Sequence, residues 1–143
     1  MTNNFILFQE TSPNRKKSRN EKFHKLFKIV PEHEFPIDYF SCAFISDNFM
    51  LLQGNLYTSQ NWFCFYSRIR GRGRLIPMEK VISITREKTA LVFPNAIGFQ
   101  TAAEKYVFGS FLTRDSTYKF LVKLWKQSTE KHQRISAHNV STN

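Results

Sequence analysis

Cysteine is scarce in this 143-residue chain, with only Cys42 and Cys64, each inside an apolar run. Two isolated thiols exclude a disulfide-stapled scaffold and suit buried side chains in a reducing compartment. Neither they nor His24, His33, His132 and His138 show paired-ligand spacing for zinc. No metal or other cofactor is expected. Long hydrophobic runs are missing as well. Phe5-Ile6-Leu7-Phe8 is too short for a signal-peptide core, and nothing approaches the ~20 apolar residues of a membrane-spanning helix. The chain therefore reads as soluble and cytosolic, and Asn139-Val140-Ser141 as a chance match to a glycosylation sequon. Acidic residues are few: 11 against 21 Lys and Arg, a formal net charge of +10. Such an excess attracts polyanions and is screened over roughly 8 Å at physiological salt. Anionic membrane and nucleic acid are thus the candidate partners.

Catalytic constellations are also absent. The four histidines have no serine, cysteine or carboxylate partner at a recognisable motif spacing. Gly71-Arg72-Gly73-Arg74 lacks the glycine spacing and the lysine of a nucleotide-binding phosphate loop. The protein is not expected to be an enzyme.

What the chain does have is aromatic alternation. Aromatic and β-branched side chains fit a pleated, half-buried surface, so Trp62-Phe63-Cys64-Phe65-Tyr66-Ser67 reads as a strand running on to Ile69. Ile37 to Ser46 alternates with Phe40, Cys42 and Phe44 on one face and Tyr39, Ser41 and Ala43 on the other. Asp47-Asn48 is a turn signal, and Met50 to Tyr57 forms the second arm of a hairpin, with Gly54 expected at a bulge or tight bend. Further short strands are predicted at Leu75 to Pro77, Val81 to Thr85, Ala90 to Phe93, Ala96 to Gln100 and Lys105 to Phe111. Short, regularly spaced strands argue for an antiparallel barrel or sandwich.

The ends read differently. From Thr11 to Lys25 the chain is polar and basic, which predicts a flexible arm; apolar residues return at helix-like spacing from Phe23, and Pro31 stops any short helix near Val30. At the other end Thr113 or Asp115 can cap a helix in which Tyr118, Leu121, Val122 and Trp125 form one face and Lys119, Lys123 and Lys126 the other. The organisation read from this is a disordered basic arm over 1–22, one domain over 23–127 and a polar disordered tail over 128–143.

Strung together, these blocks resemble the GRAM domain of the GRAM-domain-containing proteins of endoplasmic reticulum contact sites. The resemblance runs from about Phe23 to Trp125 and rests on Phe23-His24-Lys25-Leu26-Phe27, Pro31-Glu32, Asp38 to Ala43, Leu51 to Tyr57, Trp62 to Ser67, Glu87-Lys88-Thr89-Ala90, Pro94-Asn95-Ala96-Ile97, Ser110-Phe111 and Arg114-Asp115. It implies a pleckstrin-homology-like fold: mainly β, a partly open antiparallel barrel of about seven strands, capped by one C-terminal helix. It also implies a peripheral membrane module on the cytoplasmic side that binds phosphatidylserine or phosphoinositides through a basic surface. Two positions depart from the family pattern: Asn55 stands where arginine is usual, and Arg68 where asparagine is usual. Many relatives carry a membrane anchor near the C-terminus. These 143 residues show none, so alone they are not expected to tether two membranes.

Alternate arginines in a glycine-rich connection can converge on one phosphate, and guanidinium forks suit phosphate oxygens. Arg68, Arg70, Arg72 and Arg74 are therefore the leading lipid-binding candidates, with Arg86, Lys88 and Lys105 extending the patch. The alternative is a solvated loop. The arm residues Arg15, Lys16, Lys17, Arg19, Lys22 and Lys25 offer an accessory contact worth at most ~1 kcal/mol each at an anionic leaflet; a solubilising tail or a nuclear-import signal is the alternative. Phe5 and Phe8 are placed to dip into a bilayer beside that arm. The rival functions are a basic nucleic-acid binder, against which no aromatic RNA-binding motif is visible, and a protein-interaction module.

Overall fold

The computed structural model describes residues 13–141 other than 49, 70 and 90–92, and leaves the side chains of 72 and 93 aside. Helix α1 (Pro13–Leu26) leads into strands β1 (Asp38–Ile45), β2 (Leu51–Thr58), β3 (Trp62–Ser67) and β4 (Arg72–Pro77). A 3₁₀ turn (Met78–Lys80) joins β4 to β5 (Val81–Thr89), followed by β6 (Phe93–Thr101), β7 (Lys105–Gly109) and helix α2 (Arg114–Ser141). All neighbouring strands are antiparallel, in the order β4-β3-β2-β1-β7-β6-β5. The sheet curls into the expected partly open barrel with α2 packed on it. No helix among the described residues is long and apolar enough to cross a membrane.

The alternation of β1 and β3 divides the side chains between two cores. Phe63 and Phe65 point inward with Cys42, Phe44, Leu56, Ile97, Phe99 and Phe108. Their rings meet in tilted contacts, with centroids 4.8 Å apart for Phe63–Phe99 and 5.3 Å for Phe65–Phe108, a geometry that suits the ring quadrupoles. Leu121 and Leu124 of α2 close this core. Trp62, Cys64 and Tyr66 point the other way, toward Phe23, Phe27 and Val30. The outer face of β2-β3-β4 is thus a second, smaller core covered by the end of α1.

That packing corrects the reading of the N-terminal arm. Residues from Pro13 are helical, with no boundary at 22. The helix has Pro at its first position, where its missing N–H costs nothing. Phe23 and Phe27 dock its last turn on Tyr57, at ring distances of 6.2 and 5.5 Å. His24 Nε2 donates to the Glu34 carbonyl at 2.7 Å. The first ten residues carry no apolar stripe, so composition alone gave no sign of the helix. Phe5 and Phe8 lie outside the described residues.

The C-terminal tail is corrected in the same sense: α2 runs unbroken past Gln127 to Ser141. Ser128 is buried and donates to Asn61 Oδ1 at 2.8 Å, and neither Gly nor Pro follows to stop the helix. At its start the Thr113 carbonyl accepts the Thr117 N–H at 3.0 Å, which makes Thr113 the cap. Arg114 donates to the carbonyls of Glu87 (3.1 Å) and Ala96 (3.4 Å), tying the helix start to β5 and β6.

Two strand assignments also change. Val81 to Thr89 is one strand, and Phe93 begins β6; the remainder of the expected Ala90 to Phe93 strand lies outside the described residues. Gly54 is neither bulged nor bent. It pairs in register with Cys42, and its need for glycine comes from the backbone of Tyr66, as argued below.

Candidate functional site

The β3–β4 hairpin closes where Ser67 pairs with Arg72. The arginine series is therefore split: Arg68 lies in the turn after β3, whereas Arg72 and Arg74 are residues of edge strand β4. Register, not a long loop, sets their positions. Arg70 and the Arg72 side chain lie outside the description. Arg74 donates to the Gly73 carbonyl at 2.9 Å, and its guanidinium stands 4.8 Å from the Phe44 ring centroid, toward the inner core.

Arg68 lies elsewhere. It is exposed and lines a cleft of ≈ 400 Å³ between α1 and the outer face of β1-β2-β3, together with Arg19, Lys22, Phe23, Pro36, Tyr39, Asn55 and Tyr57. Three of these eight residues are cations and none is acidic. Helix α1 supplies two of the cations, and it can do so only because Phe23 anchors it across the sheet. The tyrosines arise from the strand period: Tyr39 and Tyr57 are cross-strand neighbours with ring centroids 5.5 Å apart. The two positions that depart from the family pattern, Asn55 and Arg68, meet in this one cleft. Burial pushes the Tyr57 hydroxyl pKa up, with Arg68 opposing that rise.

Beside the cleft, Asp38 is buried and its Oδ1 accepts the Tyr39 N–H at 2.7 Å. Burial pushes its carboxyl pKa up to about 6, against the opposing pull of that N–H and of Arg19. The folded state thus holds a proton on Asp38 more tightly than the unfolded chain, where the value is 3.8. Its contribution favours folding at low pH and is lost as pH rises through about 6. The rise corresponds to at most about 3 kcal/mol, reduced by water in the adjoining cleft. Denaturant midpoints between pH 4 and 7 test this: Asp38→Asn is expected to gain stability relative to the natural protein as pH rises, and a difference constant over that range would contradict it.

The other candidate cations are placed apart from the cleft. Arg86 is 3.3 Å from Asp115 and stacks over Tyr118 at 4.2 Å, joining β5 to α2. Lys105 pairs with Glu87, whose pKa it lowers. Lys88 is exposed on β5. Arg15, Lys16, Lys17 and Lys25 are exposed along α1, which carries Arg19 and Lys22 into the cleft. Sequence reasoning missed Tyr39, Tyr57 and Pro36 as lining residues, because no local signal shows that a helix crosses over them.

A sequence profile described as GRAM domain matches residues 21–130. Human protein Aster-B is 46% identical over 114 residues, which make up 78% of this chain and 15% of that protein. Human GRAM domain-containing protein 2B is 44% identical over 104 residues, 71% of this chain and 24% of that protein. A Schizosaccharomyces pombe protein named uncharacterized membrane protein C20F10.07 is 39% identical over 112 residues, 77% of this chain and 14% of that protein. The chain therefore spans less than a quarter of the length of these relatives. Among solved structures, the C-terminal domain of an unknown Leishmania infantum protein superposes with TM-score 0.65 at 29% identity, covering 73% of this chain and 95% of that one. The hSac2 domain of human phosphoinositide phosphatase Sac2 superposes with TM-score 0.55 over 86% of each chain; at 10% identity this likeness speaks to fold alone.

Proposed function

The chain belongs to the GRAM domain family, and on that premise we propose that it is a peripheral membrane-binding module whose cationic cleft receives anionic lipid headgroups, phosphatidylserine or phosphoinositides. The observation that carries the reading is the convergence of Arg19, Lys22 and Arg68 on one cleft free of acidic lining. A headgroup phosphate or carboxylate entering it meets guanidinium donors, which bind such groups in fixed geometry. The tyrosines add hydroxyls, and Asn55 an amide, for the uncharged part of a headgroup. The arm lysines add long-range attraction, which is weaker and strongly screened by salt. We propose that Arg70 and Arg72, which adjoin Arg68 in sequence, add to the positive charge that attracts the headgroups. We further propose, on the family resemblance, that the target membrane lies at endoplasmic reticulum contacts and is met from the cytoplasmic side, which imaging of a tagged chain in cells would test.

Co-sedimentation with neutral, phosphatidylserine-containing and phosphoinositide-containing vesicles across a salt series tests the core of this reading, with a structured RNA as competitor. Arg68→Ser with Lys22→Ser is expected to weaken anionic-vesicle binding about thirtyfold, since each of the two cations is worth ~1 kcal/mol at an anionic surface and ~1.4 kcal/mol is a factor of ten. Both side chains are exposed, so the melting temperature should stay within a few degrees. Unchanged vesicle binding would sink the cleft, and complete displacement by RNA would favour a nucleic-acid role.

A further inference from the structure

Ile69 is 77% exposed in the turn 68–71, directly after the cleft residue Arg68 and before Arg70 in sequence. Single exposed apolar residues are ordinary on protein surfaces, and three features set this one apart. First, the turn gives no reason for it. Tight turns favour Gly, Pro, Asn, Asp and Ser, and among the described residues of this turn the left-handed conformation, φ +57°, falls on Gly71. Second, the surroundings of Ile69 are open: its own side chain is largely in solvent, and a side chain added at Gly71 would meet nothing within 4 Å. The turn also ends a hairpin whose outer strand, β4, is an edge of the sheet. Third, apolar rings are exposed at the cleft too. Phe35 (54%) and Tyr39 (40%) flank the segment of Pro36, and both Pro36 and Tyr39 line the cleft.

We propose that Ile69 is a wedge that enters the interfacial layer of an anionic bilayer while Arg68 and the cleft hold the headgroups. This rests on the lipid reading above and adds to it how the domain meets the membrane. A free phosphate or a soluble headgroup would use the cations and gain nothing from an isoleucine pointing into water. A bilayer offers both layers at once: phosphates at the depth of the guanidinium groups and hydrocarbon immediately beneath. Charge complementarity selects an anionic surface, because the wedge is surrounded in sequence by Arg68, Arg70, Arg72 and Arg74.

The test compares the natural protein with Ile69→Ala, Ile69→Leu and Arg68→Ser against two probes: phosphatidylserine–phosphatidylcholine vesicles and soluble glycerophosphoserine. Ile69→Ala is expected to lower vesicle affinity about fivefold to tenfold, from the methylene groups no longer buried. Its salt dependence, its affinity for glycerophosphoserine and its melting temperature should all match those of the natural protein. Ile69→Leu should retain vesicle binding, and Arg68→Ser should lose affinity for both probes. If the natural protein binds vesicles and Ile69→Ala binds them equally well, the wedge is wrong and the headgroup reading stands. If Ile69→Ala weakens both probes alike, Ile69 shapes the cleft and the wedge is again overturned. If the natural protein binds neither probe, the lipid reading itself falls.

Discussion

Gly54→Ala should lower the melting temperature by about 10 °C or more, the largest stability loss expected from a single added methyl group in this domain. A Cβ at that position would fall 2.3 Å from the Tyr66 carbonyl oxygen and 2.8 Å from the Phe65 ring. The first neighbour is backbone and cannot swing aside. Relief requires β2 and β3 to separate just where Asn55 pairs with Tyr66 and where Ser67 Oγ donates to the Gln53 carbonyl at 2.7 Å. Overpacking of a rigid site costs about 1–3 kcal/mol and rises when backbone must move. A domain of this size loses roughly 2–8 °C per kcal/mol. Gly71→Ala is the informative comparison: that glycine has φ +57° with open space around it, so alanine should cost only about 1–2 kcal/mol of backbone strain. Equal effects in the two thermal melts would contradict the packing argument.

Phe23→Ala should detach α1 and abolish most vesicle binding without touching any cation. Phe23 is buried against Phe27 at 5.2 Å and Tyr57 at 6.2 Å, and it forms part of the cleft wall. Phenylalanine truncation in a core costs about 3–5 kcal/mol. Here the small outer core can open locally instead of unfolding the barrel. The expected result is therefore a loss of helical circular dichroism, faster tryptic cleavage between Arg15 and Lys25, and at least a tenfold fall in anionic-vesicle affinity. The barrel should still melt cooperatively. A docked, protease-resistant α1 in that variant would mean that Phe27 and Val30 suffice to hold it.

These expectations show which parts of the molecule were legible beforehand. Inward alternation in β1 and β3 was readable because the period of two leaves Phe63 and Phe65 on one side wherever the strand lies. The family was readable because its blocks, such as Trp62 to Ser67 and Pro94 to Ile97, fall on strands whose side chains are fixed by the cores. Helix α1 was not, because its first ten residues have no apolar face and its stability comes from the contacts of one terminal turn. The cleft was hidden for the same reason. Arg19 and Arg68 are remote in the chain and become neighbours only when α1 crosses the sheet. The arginine series was read as one loop because alternation with glycine looks alike in a loop and in an edge strand, and only the Ser67–Arg72 register separates them.

The two cysteines occupy different layers: Cys42 belongs to the inner core and Cys64 to the outer one beneath α1. Burial pushes the Cys42 thiol up to about 12 and that of Cys64 higher still, so neither is a nucleophile while its layer stays shut. The chain thus carries a pair of built-in clocks. Alkylation of Cys64 times the lifting of the helix that forms the cleft, and alkylation of Cys42 times the breathing of the barrel. The ratio of the two rates measures how independently the cleft-forming layer moves from the scaffold that bears it.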